Sequence, residues 1–359
     1  MAEHDPLIDF VSTVSGDGFL KVEETLGDGY VRLRVPEAER RQAKHDIRGV
    51  EDIVVELLRN ARDAHAQRIF FATAREGDTR LMTIIDDGVG VPAALHETIF
   101  EPRVTSKLET MVMDRWGVHG RGMALFSVRS NASVARVASS APHKGAAIEI
   151  VADTQVLPER ADQSTWPVVE ADDSGAPRVV RGPHNIVRRV VEFACEHPSL
   201  EIYIGTPTEV LATLYSSGRD ALDVSDLMFC DDLDRLQVWL RPGACADAEE
   251  LTETASAIGL GISERTAHRV LGQELAPLEP LMTQLLATED DTGHEPAPDI
   301  YRDRRSLRIH HGDLVAFKRD LTKAFDALAD RYYMSLRGEP RINVGRDAIS
   351  VRFSVEKDD

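Results

Sequence analysis

Hydrophobic and polar positions follow two distinct periods along the first 205 residues. Residues 19–36 alternate apolar and polar side chains around the turn Gly27-Asp28-Gly29, which predicts a β-hairpin. From Gly49 to Ala66, apolar residues recur at spacings of three and four, which predicts an α-helix. The same patterns predict strands over 68–75 and 80–86, a short helix near 93–100, a helix over 123–132, strands over 133–140 and 145–152, a helix over 184–198 and a strand over 200–205.

This order of elements predicts an α+β domain over residues 1–208, in which a mixed, mostly antiparallel sheet carries helices on one face. Residues 101–122 are irregular and contain glycines. Residues 161–183 are polar and interrupted by proline and glycine, which predicts a loop or an extended excursion. The rest of the chain is expected to form a helical domain over 209–286, a linker over 287–300, and a small β-α-β-β unit over 301–359 with a strand at 306–311, a helix at 314–336 and a hairpin at 341–355.

The net charge of the chain excludes one class of function. The 359 residues include 42 Lys and Arg against 61 Asp and Glu, a net charge of −19, which excludes a surface coated with basic residues for general nucleic-acid binding. The acidic excess is concentrated in the helical region, whereas residues 301–352 carry a basic excess. No apolar run of about 18 residues predicts a membrane span, and the N-terminus lacks a signal-peptide pattern, so we expect a cytoplasmic protein. The three cysteines are too scattered to predict disulfides or a zinc site.

The first candidate for chemistry is a polar stripe on the predicted helix over 49–66. Glu56, Asn60 and Asp63 are spaced so that they share one face of a helix. Leu57 and Ala64 lie beside that stripe, so polar and apolar side chains merge along one edge. This arrangement is typical of the wall of a binding site, although an ordinary amphipathic helix would also produce it.

The second candidate directly follows the apolar strand over 80–86, in the sequence Asp86-Asp87-Gly88-Val89-Gly90. The glycines allow a positive φ angle or a close backbone approach. A carboxylate at the end of a strand, such as that of Asp86, can accept a hydrogen bond from an exocyclic amine such as that of adenine. A tight turn with a supporting aspartate is the alternative.

The third candidate is the glycine-rich loop from Gly117 through Gly120 and Arg121 to Gly122, which leads directly into a predicted helix. Loops of this kind present successive N–H groups and the positive end of the helix dipole, which favours phosphate. The spacing differs from the Rossmann fingerprint and from the P-loop. Because most glycine-rich turns have no chemical role, the loop alone is weak evidence.

Together, the three features occur in the order and structural context that are typical of the GHKL ATPases, and the chain resembles this superfamily over about residues 45–152. Its members include gyrase-type topoisomerases, the large heat-shock ATPase chaperone, histidine kinases and MutL. The resemblance implies the GHKL (Bergerat) ATP-binding sandwich with ATP and Mg²⁺ as ligands. An ATPase of this kind is also expected to dimerise when ATP binds.

The resemblance also implies a role for individual residues. Glu56 corresponds to the general base that polarises the attacking water, and Asn60 to the Mg²⁺ ligand. Asp86 corresponds to the acceptor of the adenine amine, and Gly90 to the turn beneath the base. The family commonly has Gly-Thr where this chain has Gly145-Ala146, so a hydroxyl contact would be missing. The other candidate nucleotide-binding residues are Asp63, Gly88, Ser106, Lys107, Gly117, Gly120, Arg121, Gly122 and Gly145.

Within the superfamily, the helix and strand over 184–205 resemble those that close the ATP domain in the ATP-binding subunit of DNA topoisomerase VI. Residues 250–271 resemble the helix-two-turns-helix domain of that protein, with a generic helical spacer as the alternative. The chain departs from that family after the linker, since about 60 residues replace a large transducer domain. Neither Lys318 nor Lys323 can be assigned as the switch lysine, and Tyr332-Tyr333 is not expected to be a DNA-cleaving nucleophile.

Two functions are consistent with this resemblance. The first is a Mg²⁺-dependent ATPase resembling the ATP-binding subunit of topoisomerase VI, whose ATP-driven dimer closure is coupled to DNA topology or to a separate DNA-cleaving subunit. The second is an ATP-gated conformational switch, or MutL-like or chaperone-like interaction module, without DNA transport. DNA is a partner in the first only, and the basic cluster that could contact its phosphates is Arg302, Arg304, Arg305 and Arg308.

Overall fold

The fold was determined as a computed structural model, and the described part of the chain divides into two compact units. The first is Met1–Glu289 and the second is Asp290–Asp359. No helix among the described residues is long and apolar enough to cross a membrane. The described residues are 22–35, 37–106, 112–114, 117–119, 122–172, 175–223, 232–286, 317–319, 321–325, 329, 334–336, 340–344 and 349–357.

The described elements of the first unit are twelve strands and nine α-helices. The strands are β1 (Val22–Gly27), β2 (Tyr30–Leu33), β3 (Arg68–Glu76), β4 (Thr79–Asp86), β5 (Val104–Thr105), β6 (Val112–Asp114), β7 (Gly117–His119), β8 (Val134–Ser140), β9 (Ala146–Asp153), β10 (Val168–Ala171), β11 (Pro177–Arg181) and β12 (Glu201–Gly205). The helices are α1 (Glu37–Asp46), α2 (Val50–Asp63), α3 (Ala124–Asn131), α4 (Ile186–Glu196), α5 (Pro207–Ala221), α6 (Arg241–Ala244), α7 (Ala248–Ala257), α8 (Glu264–Leu271) and α9 (Leu281–Leu286).

A five-stranded sheet in the order β12-β3-β4-β9-β8 forms the centre of this unit. Strand β12 pairs in parallel with β3, and the other three pairings are antiparallel. The sheet is therefore mixed and mostly antiparallel, which confirms the predicted α+β fold class.

Side chains of the central strands alternate between two hydrophobic clusters. In β3, Ile69 and Phe71 belong to the cluster that contains α2 and α4, whereas Phe70 and Ala72 belong to the cluster that contains α5, α7 and α8. Successive residues of a strand point to opposite faces, so a strand buried on both faces must be apolar throughout. This requirement explains why β3 has a continuous apolar run instead of an alternating pattern.

Helices cover both faces of the sheet. The first face carries α2 and α4, as the expected sandwich requires. The helical region was expected as a separate domain starting at residue 209, but α5 begins at Pro207 and packs directly on β3 and β12. The described helices α5–α8 therefore form the second face of the sheet, within the same compact unit.

The predicted N-terminal hairpin is present as β1 and β2, with Asp28 and its two flanking glycines at positive φ. Strand β2 also pairs with β5, which makes a three-stranded sheet. The segment over 161–183, predicted as a loop or extended excursion, contains β10 and β11, which pair as a second hairpin. The helix α1 was not predicted, since its sequence is almost entirely polar.

The region near 93–100 contains two 3₁₀ turns, Ala93–Leu95 and Thr98–Phe100, in place of the predicted short helix. The irregular stretch that follows contains β5 and the pair β6–β7. Three candidate residues, Lys107, Gly120 and Arg121, lie outside the described residues.

In the second unit, strand β14 (Arg341–Val344) pairs with β15 (Ile349–Arg352), which confirms the predicted hairpin. The helix predicted over 314–336 extends too far. Its last three residues form β13 (Met334–Leu336), because they pair with β16 (Val355–Lys357). The described part of this unit does not include the predicted linker, the strand at 306–311, Tyr332, Tyr333 or the four arginines of the basic cluster.

Candidate functional site

An open cleft of about 1030 Å³, its mouth included, lies on the first face of the sheet. One wall is helix α2, and the floor is formed by apolar side chains of β4 and β9, Ile84 and Ile148. The start of α3 and the strands β2 and β5 contribute the opposite side. A cleft with an apolar floor and a few convergent polar groups is the usual form of a small-molecule site.

Helix α2 supplies the polar wall as the sequence predicts. Its apolar side is buried against the sheet. Acidic residues in its first turn and Arg62 in its last turn stabilise the helix, because their charges interact favourably with the helix dipole. The stripe of Glu56, Asn60 and Asp63 faces the cleft. The structure thus brings these three predicted residues together on one wall.

The two adjacent aspartates after β4 have different roles. Asp86 lines the cleft with only 4% of its surface exposed, and its Oδ1 accepts a hydrogen bond of 2.9 Å from the Gly88 N–H. Asp87 turns away, since its Oδ1 accepts bonds of 2.7 and 2.9 Å from the backbone N–H groups of Gln67 and Arg68. Asp86 therefore lies at the cleft, whereas Asp87 ties the turn to the start of β3.

Glycines let two backbone turns approach each other at one end of the cleft. Gly90 and Gly145 both have positive φ, and a Cβ on Gly145 would lie 2.0 Å from the carbonyl oxygen of Asp86. A Cβ on Gly90 would lie 2.0 Å from the carbonyl oxygen of Ala141, and one on Gly88 would lie 2.6 Å from that of Ala64. Only Gly90 of the three lines the cleft; Gly88 and Gly145 position the turns around it.

A buried serine holds the β8–β9 turn in place beside the cleft. Ala146 lines the cleft without a hydroxyl. The Ser140 hydroxyl, one strand away, accepts a bond of 2.7 Å from the Val91 N–H and donates one of 2.7 Å to the Gly145 carbonyl. The turn is thus fixed by a buried serine, but this hydroxyl is used within the protein.

The described part of the glycine loop reaches the cleft at its end. Gly122 lines the cleft at positive φ, and its carbonyl accepts a bond of 2.7 Å from the Arg103 N–H. Arg103 itself has a positive φ, an uncommon conformation for a residue other than glycine. Ser106 also lines the cleft, and Gly117 lies at the start of β7.

Charges in the cleft are paired along helix α2. The Arg59 guanidinium donates to Glu56 at 2.6 Å, and the Arg62 guanidinium donates to Asp63 at 2.8 Å. Between them, the side-chain nitrogen of Asn60 is buried and has no hydrogen-bond partner in the part of the chain that the structure describes. An unsatisfied buried amide costs about 1–3 kcal/mol, so a ligand that completes its hydrogen bonding would bind favourably there.

The cleft fits a magnesium nucleotide better than a metal alone. Among the described residues, no group of three or more His, Cys, Asp or Glu could hold a metal. Magnesium is usually held by one or two oxygen ligands of the protein, with the rest from water and substrate phosphates. The Asn60 carboxamide can supply such an oxygen while its nitrogen donates to a phosphate.

Sequence reasoning missed the contribution of the N-terminal hairpin. Tyr30 in β2 lines the cleft, and its hydroxyl is hydrogen-bonded to Ser106. Burial raises the pKa of the Tyr30 hydroxyl, an effect that the Ser106 bond opposes and the nearby Asp28 carboxylate adds to. No local signal marks this tyrosine, because it reaches the cleft only when β2 pairs with β5.

Comparison with known proteins agrees with this geometry. Residues 45–155 match the family described as "Histidine kinase-, DNA gyrase B-, and HSP90-like ATPase". This segment resembles the ATP-binding domain of the GHKL superfamily. The matched residues run from helix α1 to the end of β9 and include the predicted residues of all three sequence features.

Curated relatives of this chain carry the names of mismatch repair proteins. The DNA mismatch repair protein MutL of Aquifex pyrophilus is 27% identical over 207 residues, which are 54% of this chain and 46% of that protein. The MutL of Sinorhizobium fredii (strain NBRC 101917 / NGR234) is 36% identical over 121 residues, 33% of this chain and 20% of that protein. This chain therefore spans less than half the length of these relatives. The more specific resemblance to topoisomerase VI stays a prediction.

Proposed function

We propose that this protein binds Mg-ATP in the cleft and hydrolyses it slowly. The observation that carries the proposal is the placement of Glu56 and Asn60 on one wall of a cleft that also contains the buried carboxylate of Asp86. The Asp86 carboxylate would accept a hydrogen bond from the adenine amine. The apolar floor, including Ile84 and Ile148, would hold the purine ring.

The reacting end of the nucleotide would lie against helix α2. Bound Mg²⁺, held by the Asn60 oxygen and the phosphates, would supply charge neutralisation. Glu56 would orient a water molecule and accept its proton as the water oxygen attacks the γ-phosphorus. The bond between the γ-phosphorus and its bridging oxygen breaks, so that ADP and phosphate leave. The roles of Lys107, Gly117, Gly120, Arg121 and Gly122 toward the phosphates stay predictions.

For the biological role, we propose an ATP-gated conformational switch that dimerises when ATP binds, because the named relatives are MutL proteins. The second sheet face supports a switch mechanically. The side-chain hydroxyl of Thr83, in the middle of β4, donates a bond of 2.7 Å to the Gly259 carbonyl between α7 and α8. A displacement of β4 at the cleft would therefore be transmitted to the helices on the other side.

The second candidate is a role like that of the ATP-binding subunit of topoisomerase VI, in partnership with DNA and a DNA-cleaving subunit. The observation that favours it is the helix pair α7–α8, joined through Gly259 at positive φ and restarted by the Ser263 cap, as the sequence predicts for a helix-two-turns-helix domain. The excess negative charge of the chain disfavours a large DNA surface in this protein alone.

ATP binding and turnover by the wild type, Glu56→Ala and Asn60→Ala test the proposed activity. Glu56→Ala should retain nucleotide binding and lose turnover by about 10²–10⁴-fold, the usual contribution of a general base. Asn60→Ala should lose affinity for Mg-ATP. Equal turnover by all three proteins would refute the site.

Binding of duplex DNA at increasing salt concentration separates the two roles. A topoisomerase-like role requires an affinity that falls steeply as salt rises, because phosphate contacts release counterions. A switch without DNA transport requires no measurable DNA affinity even at low salt. Analytical ultracentrifugation with and without the β,γ-imido analogue of ATP tests dimerisation in either case.

A further inference from the structure

One cation in the cleft has no role in the proposed mechanism. Among the described residues that line the cleft, Arg59 is the one Lys, Arg or His. Only 4% of its surface is exposed, so its permanently charged guanidinium is held inside the protein wall. A buried charge is costly unless it is paired, and such groups concentrate at functional sites.

One partner of this buried arginine is the proposed general base. The Arg59 Nη1 donates to the Glu56 Oε1 at 2.6 Å, one turn earlier on the same helix. The Glu56 side chain is 20% exposed and faces the cleft, whereas that of Arg59 is 5% exposed. A carboxylate in a short pair with a guanidinium is a weaker general base than one that faces water, because the positive charge favours its ionised form. The pair thus restrains Glu56 in the protein without nucleotide.

A triphosphate would compete for this arginine. Arg59 lines the cleft together with Asn60, the residue with the unsatisfied buried nitrogen, so a phosphate that bonds to Asn60 would lie within reach of the guanidinium. Phosphate oxygens carry more negative charge than a carboxylate and suit the fork of donors on arginine. Contact with the terminal phosphate would draw Arg59 away from Glu56.

We propose that Arg59 is a positioning residue that exchanges partners: it pairs with Glu56 when the cleft is empty and with the terminal phosphate when ATP is bound. The exchange releases Glu56 to orient the attacking water only when a third phosphate is present. ADP, which lacks that phosphate, leaves the ion pair intact. This inference rests on the proposed ATPase function.

The test compares affinities for the β,γ-imido analogue of ATP and for ADP, both with Mg²⁺, by calorimetry. Arg59→Gln should weaken binding of the analogue by about 10- to 100-fold, the range for a hydrogen bond between charged groups, and change ADP binding less than 2-fold. Arg59→Lys keeps the positive charge but loses the paired planar donors of the guanidinium, so it should weaken analogue binding several-fold and leave ADP binding unchanged. This second variant carries the test if Arg59→Gln does not fold.

Partner exchange also predicts a specific coupling between the two side chains. In the otherwise wild-type protein, Glu56→Gln should strengthen analogue binding several-fold, because it removes the carboxylate charge that competes with the phosphate for Arg59. The same change should have no effect on analogue binding in the Arg59→Gln background. This non-additivity distinguishes exchange from two independent contacts.

The matched control is Arg80→Gln. Arg80 is also buried, at 6% exposure, and its guanidinium donates to Glu159 at 2.7 Å, but it does not line the cleft. This variant should be destabilised, with an unchanged ratio of analogue to ADP affinity.

Three results would contradict one of the two proposals. An equal loss of analogue and ADP binding in Arg59→Gln, or no loss of either, would overturn the exchange and leave the ATPase proposal standing. A Glu56→Gln effect of the same size in both backgrounds would also overturn it. A wild-type protein that binds neither nucleotide would instead refute the proposed function.

Discussion

The two faces of the central sheet are built from the same strands but differ in how completely they are packed. On the second face, Phe70 stacks on Tyr203 with ring centroids 4.8 Å apart and lies 6.2 Å from the ring of Trp239. On the first face, the neighbouring strand residues Ile84 and Ile148 form the floor of an open cleft. One face is filled by aromatic and aliphatic side chains, and the other leaves space between helix and sheet.

Both faces contain buried polar groups, and they differ in whether such a group lines the cleft. On the closed face, the Thr83 hydroxyl donates to the Gly259 carbonyl, whereas the buried Nε of Arg241 has no partner among the described residues. On the open face, the buried side-chain nitrogen of Asn60 has no partner among the described residues, and Asn60 lines the cleft. A ligand bound in the cleft can therefore supply the missing hydrogen bond, whereas no described group of the closed face offers this to Arg241.

The largest expected effect is the removal of the aromatic core of the closed face. Phe70→Ala should lower the free energy of unfolding by about 3–5 kcal/mol, because the side chain is fully buried and leaves a cavity. Nucleotide affinity, measured well below the melting temperature, should stay within about 2-fold. Urea unfolding and calorimetry check the two quantities. A large loss of nucleotide binding at unchanged stability would show that the aromatic core of the second face takes part in nucleotide binding.

Gly145→Ala should affect the open face and the stability together. The added Cβ would lie 2.0 Å from the Asp86 carbonyl oxygen at a positive φ, so we expect a loss of about 1–3 kcal/mol and a displaced Asp86. Affinity for adenine nucleotides should fall as well. Gly261→Ala is the control, since nothing lies within 4 Å of its Cβ and its φ is not positive. Similar losses in both variants would contradict the close approach.

Tyr30→Ala should act on binding more than on stability. Tyr30 lines the cleft and is hydrogen-bonded to Ser106, so its loss should weaken nucleotide binding by about 1 kcal/mol, roughly 5-fold. Tyr30→Phe keeps the ring and should have a smaller effect. Calorimetric titration with the imido analogue of ATP measures both variants. Unchanged affinity in Tyr30→Ala would exclude the N-terminal hairpin from the site.

The smallest effect concerns the chemical reactivity of the closed face. Burial raises the pKa of the Cys245 thiol to about 11, because the apolar surroundings disfavour the thiolate. At pH 8 the native thiol should therefore resist iodoacetamide, react faster only as the pH approaches about 11, and be alkylated quickly in urea at pH 8. Peptide mass spectrometry compares it with Cys195, which is only half-buried. Rapid native alkylation of Cys245 at pH 8 would indicate that the second face opens.

Local patterns predicted most of the elements that build the site. Helix α2 and its polar stripe follow from a period of 3.6, and the need for glycine at position 90 follows from a turn with positive φ. The hairpin β10–β11 was missed because its strands are short and largely exposed, so they lack a periodic apolar signal. The strand β13 was taken for the end of a helix because its partner β16 is distant in sequence.

The sequence by itself determined the GHKL motifs and their order, because a helix face, a strand end and a glycine turn are each set by a few neighbouring residues. Only the tertiary structure decided that Asp86 faces the cleft while Asp87 turns away, that Tyr30 joins the site, and that α5–α8 close the second face. Those outcomes depend on contacts between segments far apart in the chain. Such contacts are determined by the packing of the whole unit, and the local spacing of apolar residues in the sequence does not reveal them.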